Sequence, residues 1–404
     1  MKKVIVIGGG ASGMMAAYSA SFNNEVILLE KNEKLGKKIF ITGKGRGNFT
    51  NSSKMDEHLK NVVSNPRFLY SAYNCFDNED LMNLLKEAGM EYKIERGNRV
   101  FPETDHAYEI TDALKRLLKK NRVDIRLNSE VKDIIVEDDI FKGVIINNNE
   151  KIYGDALIMA TGGLSYSSTG STGDGYKFAK KLGHTVTDLR PALVAMKVKE
   201  KWVKDLKGLD LKNVSISIYK DKKVIYKDFG EMGFNEDGVD GPIIISASSY
   251  CGKYLPLKMY IDLKPALDKD TLDKRILREF NENLNKKIKD VIGKLLPIKL
   301  GMVVLEISEI DEDILIHDVT SVQRKRLLDN IKNLEMNLIE LKSFDEAIIT
   351  QGGISVKEID PKTMESKKIK GLYFAGEIID VDALTGGFNM QIAFSTGYLA
   401  GKSV

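Results

Sequence analysis

The apolar positions of this chain fall into a few short unbroken runs set among longer stretches of helical period. It opens on "KVIVI", a β-branched run that three glycines end at once. A run without alternation predicts a strand covered on both faces. "SGMMAAYSA" then predicts a helix and "EVILLE" a second buried strand. Two later runs share this character: Ala156–Met159, and "GLYF" from Gly371. Residues 56–90 read as helical, with "DNEDLMNLLKEAGM" amphipathic and ended by Gly89. "RGNRVFPETD" reads as a turn-rich link and "AYEITDALKRLLKKN" as another amphipathic helix. From Val123 to Tyr153, short strands separated by Asp138-Asp139 and Asn147–Asn149 predict a three-stranded meander.

The texture changes at Pro191. Up to about residue 340 the chain is lysine-rich, with alternating strands such as "VSISIYKDKKVIYKDF" and helices expected over Leu272–Ile292 and Ser321–Leu334. "DEAIITQGGIS" and "GLYFAGEIID" then restore the buried-strand pattern, and "GGFNMQIAFSTGYLAGKSV" closes the chain as a glycine-started helix. Alone, that last strand and helix have nothing to cover their apolar faces, so they must return to the first sheet. The expected organisation is α/β: a discontinuous nucleotide domain of residues 1–190 and 343–404, interrupted by a β-rich, barrel-like insert with a few helices at 191–342.

Composition narrows the chemistry. The 404 residues carry 61 basic and 58 acidic side chains, a net +3, which gives no general reason to expect nucleic acid as a partner. Two cysteines far apart, Cys75 and Cys251, exclude a disulfide framework and a dithiol site. Four scattered histidines make a metal centre unexpected. No apolar run approaches membrane-spanning length, so no membrane is expected, and the default location is cytoplasmic.

The glycines after the first strand form Gly8-Gly9-Gly10-Ala11-Ser12-Gly13, a G-x-G-x-x-G. In that pattern one glycine makes the tight turn, the next lets backbone approach a pyrophosphate, and the last lets helix pack on strand. The helix that follows offers amides and dipole to phosphate. Glu30 ends the second strand at the spacing where a carboxylate accepts from a ribose diol. This unit binds the ADP half of a dinucleotide and does not distinguish NAD from FAD.

Two further segments favour FAD. "ALIMATGG" runs a strand into small residues at Thr161 and Gly162, and "GLYFAGEIID" repeats strand, glycine, acid near the end of the chain. A flavin's far half needs such partners beyond the first βαβ unit. Glu377 or Asp380 would hold ribityl hydroxyls, and the helix opening at "TGGFNMQ" would aim its amides at the electron-rich edge of a reduced flavin.

With these segments in view, the chain resembles the bacterial FAD-dependent flavoproteins of the BaiN and YhiN type, also labelled aminoacetone oxidases. They lie within the wider fumarate-reductase-like and glutathione-reductase-like flavoproteins. The resemblance is carried by "VIVIGGGASGMMAA", "LGKKIFITGKGRGNFTN", "RVFPETD", "ATGGLSYSSTGSTGDGYKFAKKLGH" and "IDPKTMESKKIKGLYFAGEIIDVDALTGGFNMQIAFSTGYLAG". It implies a Rossmann-like FAD-binding domain with a β-rich insert, and one FAD bound without a covalent link. It places FAD contacts at Gly8, Gly10, Ala11, Ser12, Gly13, Glu30 and Lys31. Further contacts would come from Lys37, Lys38, Gly43 and Arg46, and from the Val131 backbone at the adenine. Thr161, Gly162, Gly376, Glu377, Asn389, Met390 and Gln391 would lie near the flavin. The chain departs from the family pattern twice. Gly47 stands where a cysteine is usual, and Glu236 where a histidine is usual, so neither a thiol nor an imidazole can act at those places.

The reaction expected is NAD(P)H-driven reduction of an electron-poor C=C, enone-like, in a small-molecule substrate. NAD(P)H would visit transiently, hydride would leave flavin N5, and an acid would protonate the neighbouring carbon. Tyr166, Arg46 and Arg99 are the candidate acids by motif context. Two alternatives stand beside it. One is an amine oxidase using O2 on an aminoacetone-like substrate. The other is a flavin-containing RNA-modifying or redox-sensing protein. The segment Lys197–Lys227 holds ten lysines against four acids, but few aromatics lie among them, which favours a solvated face. Substrate, donor, proton source and oligomeric state are not fixed by the sequence.

Overall fold

The computed structural model describes residues 1–404, the side chain of Asn148 excepted. The chain divides into two compact units, Met1–Pro191 with Phe344–Val404, and Ala192–Ser343.

The first unit is built on a five-stranded parallel sheet. Its strands lie in the order Leu372–Phe374, Ala156–Met159, Lys3–Ile7, Glu25–Leu29, Asp124–Arg126. The central strand pairs Val4 with Ala156 on one side and Val26 on the other. Val4, Ile5 and Val6 have no solvent exposure, which is why the run carries no polar alternation. The Leu372–Phe374 strand joins the sheet beside Ala156–Met159, so the two ends of the chain share one core. The first helix, Ala11–Ala20, and the last, Phe388–Ser403, lie against each other through glycines. A Cβ at Gly397 would sit 2.3 Å from the Ser12 carbonyl oxygen, and one at Gly401 would sit 2.3 Å from that of Ala16. Backbone approach this close requires a residue with no side chain. The expected meander is present as Val131–Glu137, Ile140–Ile146 and Lys151–Tyr153.

Local readings fail where partners come from far along the chain. The helix expected over 56–90 is interrupted by the strand Val62–Ser64, by Asn65 at φ +54° and by Pro66. That strand exists because it pairs with Asp382–Ala383. The link at "RGNRVFPETD" contains a hairpin, Tyr92–Glu95 with Arg99–Pro102, which Thr50–Asn51 extends.

The second unit is a closed six-stranded barrel. Its order is Met196–Val198, Gly238–Asp240, Lys223–Phe234, Asp210–Lys220, Leu257–Asp262, Leu334–Leu341, and the last strand closes on the first. Ile216, Ile218, Met259, Ile261 and Met336 fill its interior and have no exposure. The helix expected at Leu272–Ile292 ends at Asn281. Beyond it, Lys286 and Ile288 make backbone hydrogen bonds with Ile316 and Ile314, which pull that segment off the helical path. The helix expected at Ser321–Leu334 ends at Lys332, since Leu334 begins the strand that closes the barrel. No helix among the described residues is long and apolar enough to cross a membrane.

Candidate active site

One pocket of the first unit collects the loops at the C-terminal ends of the parallel strands. Its near end is the glycine turn. Gly8 has φ +102°, and a Cβ there would lie 2.4 Å from the Ala160 carbonyl oxygen. A Cβ on Gly13 would lie 1.8 Å from the Gly8 carbonyl oxygen, so helix and turn touch. Gly10 is different: a Cβ there meets nothing within 4 Å. It is the N-cap of the first helix and supplies no side-chain cap, and Gly10, Ala11 and Ser12 line the pocket. The free amides of a helix start facing open space form an anion site.

Glu30 is 7% exposed and lines the same pocket. Its Oε2 accepts from the Gly9 amide at 2.6 Å. Its Oε1 accepts from the backbone and side-chain nitrogens of Asn32, at 2.8 and 2.7 Å. The acid is thereby fixed to the glycine turn before any ligand arrives. Lys31 is held by Asp174 at 2.8 Å, and Lys37 pairs with Glu33 at 2.8 Å.

Further along, Lys38 Nζ donates to Glu377 Oε2 at 2.6 Å and to Ser165 Oγ at 2.8 Å. Glu377 Oε1 accepts from the Thr350 amide at 2.8 Å and the Ser165 hydroxyl at 3.0 Å. Thr350 Oγ1 in turn accepts from the Leu164 amide at 2.8 Å. Residues up to 339 positions apart are thus locked into one polar wall, and Lys38, Thr350 and Glu377 all face the pocket.

The far end is the start of the last helix. Its N-cap, Gly387, lies at φ +99° without a side-chain cap, and Asn389 and Met390 line the pocket. Asn389 spends its side chain on the preceding loop. Its Oδ1 accepts from the Ala383 amide at 2.9 Å, and its Nδ2 donates to the Ala383 and Leu384 carbonyls at 2.6 and 3.3 Å. That loop carries Asp382, which is 2% exposed. Asp382 Oδ2 accepts from Gln351 at 3.1 Å, whereas Oδ1 has no partner. Burial raises its pKa to about 6, against the weaker opposing effect of hydrogen bonds from Ser64 and Gln351.

Of the residues singled out from sequence, Gly8, Gly10, Ala11, Ser12, Glu30, Lys31, Lys37 and Lys38 line this one pocket. So do Val131, Thr161, Gly162, Glu377, Asn389 and Met390. Others sit elsewhere among the described residues. Gly13 packs helix on turn, and Gly376, at φ +79°, packs on Ser12. Gly43, at φ +60°, shapes the loop before Asn48. Asp380 is held away from the pocket lining by Thr187 and Asn65. Gln391 is fully buried, accepting from Thr50 at 2.6 Å and donating to Ser395 at 3.0 Å.

Arg46 departs most from expectation. Its guanidinium is engaged by Glu95 and Asp105 and lies over the Phe101 ring, 4.3 Å from the centroid. Those hydrogen bonds raise its pKa further, so it is no proton donor. Arg99 packs over the same ring at 5.8 Å and donates to the Arg96 carbonyl. Tyr166 sits at φ +54° in a turn whose carbonyl accepts from Thr169. None of these three lines the pocket among the described residues. Sequence reasoning passed over Ser165, Thr350 and Asp382; the polar Thr350 inside the apolar "AIITQ" run was the available signal.

A cofactor with an anionic centre and a diol at one end, and an electron-rich ring at the other, fits these residues. Gly10 offers the open cradle, Glu30 the acceptor, and Gly387 an uncapped helix start. Fold and pocket define a flavin-dependent oxidoreductase built on a Rossmann-type sheet. The chain belongs to the family described as HI0933-like protein Rossmann domain, whose model matches residues 2–403. It is similar to a 3-dehydro-bile acid delta(4,6)-reductase of Clostridium scindens, 30% identical over 100% of this chain and 99% of that protein. It is also similar to a ribosomal RNA dihydrouridine synthase of Haemophilus influenzae, 32% identical over 99% of this chain and 98% of that one. In fold it matches a flavocytochrome c3 fumarate reductase, with TM-score 0.50 and 16% identity, over 100% of this chain and 78% of that chain.

Proposed function

We propose that the pocket binds FAD and that the enzyme reduces a C=C bond conjugated to a carbonyl, with NAD(P)H as transient donor. The observation that carries the reading is the continuity of one pocket from Glu30, past the Lys38–Glu377 pair, to the start of the last helix. A mononucleotide would leave one end without a partner. FAD, when bound, supplies two-electron hydride chemistry. The protein's part is positioning. Gly10, Ala11 and Ser12 offer amides to the pyrophosphate, and Glu30 accepts from the adenosine ribose. Glu377, fixed by Lys38 and the Thr350 amide, accepts from ribityl hydroxyls. The amides opening the last helix stabilise negative charge at the ring edge.

The names of the two relatives support the reaction class. A delta(4,6) bile-acid reductase and a dihydrouridine synthase both saturate C=C bonds, in a steroid and in a pyrimidine. The test is anaerobic mixing of the flavin-loaded protein with NADH or NADPH, then with an enone. Bleaching by one donor and recovery of colour with the enone is expected. A flavin that neither donor bleaches, or rapid O2 consumption with an amine alone, overturns the proposal.

A further inference from the structure

A buried acid is normally paired with a cation or saturated with hydrogen bonds. Asp382 is neither. It is fully covered, its Oδ1 has no partner, and its Oδ2 accepts from Gln351 at 3.1 Å. Nor does it lie in the apolar core, since it lines the pocket together with Asn389 and Met390. The segment that carries it is pinned on two sides. Asp382–Ala383 pairs with the strand Val62–Ser64, and the Asn389 side chain grips the Ala383 amide and carbonyl. The carboxyl is therefore held next to the first turn of the last helix, whose start is uncapped.

The elements bonded to Asp382 supply no positive charge. Val62–Ser64 and Ile349–Gln351 contain no titratable side chain, and the last helix has none in its first turn. His58, whose ring meets that of Phe388 edge to face at 5.0 Å, is disfavoured as a cation by burial. Among the described residues, the one charge acting on Asp382 is another acid, Asp380, which is itself answered by Thr187, Asn65 and Arg190. Lys38, on the same pocket wall, is committed to Glu377. A purely structural role would be served as well by the amide of asparagine, which accepts from Gln351 without burying a charge. What only the carboxyl can do here is gain and lose a proton, and burial has brought that exchange to about pH 6.

Reduction of a flavin in this pocket adds negative charge at the end where the last helix begins. A second negative charge nearby disfavours an ionised carboxyl. Reduction and protonation of the carboxyl are then linked, each favouring the other by the same free energy. We propose that Asp382 is a redox-linked proton site, which takes up a proton from solvent when the cofactor is reduced and gives it up when substrate reoxidises the cofactor. The proposal rests on the reading above that FAD occupies this pocket, and not on the identity of donor or substrate. The stoichiometry closes. Saturation of a C=C bond consumes one hydride and one proton: the π bond is lost and two C–H bonds form. The hydride originates in NAD(P)H. The proton gained at Asp382 in the reductive half matches the one consumed in the oxidative half, which leaves the carboxylate as it began.

The test uses the flavin-loaded full chain reduced photochemically, so that neither NAD(P)H nor an enone is needed. Protons taken from a weakly buffered solution at pH 7 are counted with an indicator dye. The midpoint potential is followed from pH 5 to pH 9 against a reference dye. Protons released by the reductant cancel in the difference between variants. Wild type should take up more protons per flavin than Asp382→Asn, approaching about one. Above pH 6 its potential should fall more steeply with pH, by about 30 mV per pH unit, the two-electron equivalent of a tenfold change in proton activity. Asp382→Ala, which removes the carboxyl outright, should behave as Asp382→Asn does. Asp138→Asn, at an exposed acid in the meander turn of the same unit, should behave as wild type. Equal proton counts and parallel potentials in wild type and Asp382→Asn overturn the proposal, and so does an equal loss in Asp138→Asn. Extra proton uptake with no bleaching by NADH or NADPH removes the reductase reading and keeps the proton site. Bleaching and enone turnover with equal proton counts remove the proton site and keep the reductase reading.

Discussion

Asp382 sets the terms of a stability experiment at the pocket wall. Its carboxyl is 2% exposed, has one hydrogen-bonded and one unpartnered oxygen, and no cation pairs with it among the described residues. Burial therefore favours the neutral form, raising the pKa from 3.8 to about 6. The folded state binds this proton more tightly than the unfolded chain does. Its contribution to stability is therefore fully present below pH 3.8 and is lost as pH rises towards 6. That rise corresponds to about 3 kcal/mol at pH 7. Asp382→Asn keeps the shape and an acceptor for Gln351 but cannot ionise. Relative to wild type, it should gain nothing near pH 4 and about 3 kcal/mol at pH 7.

The reporter matters because the chain has two compact units. The single tryptophan, Trp202, lies in the inserted unit and reports on that one. Urea unfolding of the first unit is better followed by release of flavin fluorescence, at equal protein concentration, with the flavin Kd of each variant measured separately. Other carboxylates titrate alike in both proteins and cancel in the difference. A difference that stays flat from pH 4 to pH 8 refutes the reasoning, because it means that Asp382 ionises in the fold at no cost.

Four further outcomes are expected. Glu30→Ala removes the acceptor for Gly9 and Asn32 and should weaken FAD binding by roughly 10- to 100-fold in a fluorescence titration. Lys38→Met leaves Glu377 without its cation and should cost about tenfold in FAD affinity. Adding Glu377→Gln should lose less than the sum of the two single changes, which a double-mutant cycle reads directly. Arg46→Gln should leave the FAD Kd within about twofold, because its guanidinium is committed to Glu95 and Asp105; a tenfold loss would put it on the pyrophosphate after all. Gly397→Ala gains about 1 kcal/mol of helix propensity. It sets that against a Cβ placed 2.3 Å from the Ser12 backbone, and the overpacking, about 1–3 kcal/mol, should win in a denaturant melt.

The parts of the fold legible in the sequence share a physical origin. A strand covered on both faces has no choice but an apolar run, so "KVIVI", "EVILL", "ALIM" and "LYF" announced the sheet. The glycine turn was legible because its constraint is local: Gly8 and Gly13 touch each other and the next strand end. What stayed hidden depended on partners brought from afar. The Arg46 loop, "GKGRGN", reads like a phosphate loop until Glu95 and Asp105 arrive from the hairpin to claim the guanidinium. Val62–Ser64 looks helical until Asp382–Ala383 returns to pair with it.

The same distinction separates the two halves of the chemistry. Groups that recognise what all dinucleotides share sit in one short segment and carry a fixed spacing, since the pyrophosphate and ribose are rigidly linked. The groups proposed to act at the reactive end come from three places at least: Lys38 from the second loop, Thr350 from the strand after the insert, and Glu377 with Asp382 from the final strand and loop. Their relative positions are set by the sheet order, not by spacing along the chain. Substituting within the first set should change how tightly the cofactor is held. Substituting within the second should change its reduction potential and pH profile in addition to any loss of affinity, and a redox titration of the flavin-loaded Thr350→Val protein, which keeps the Glu377-bound amide but removes the hydroxyl, separates the two.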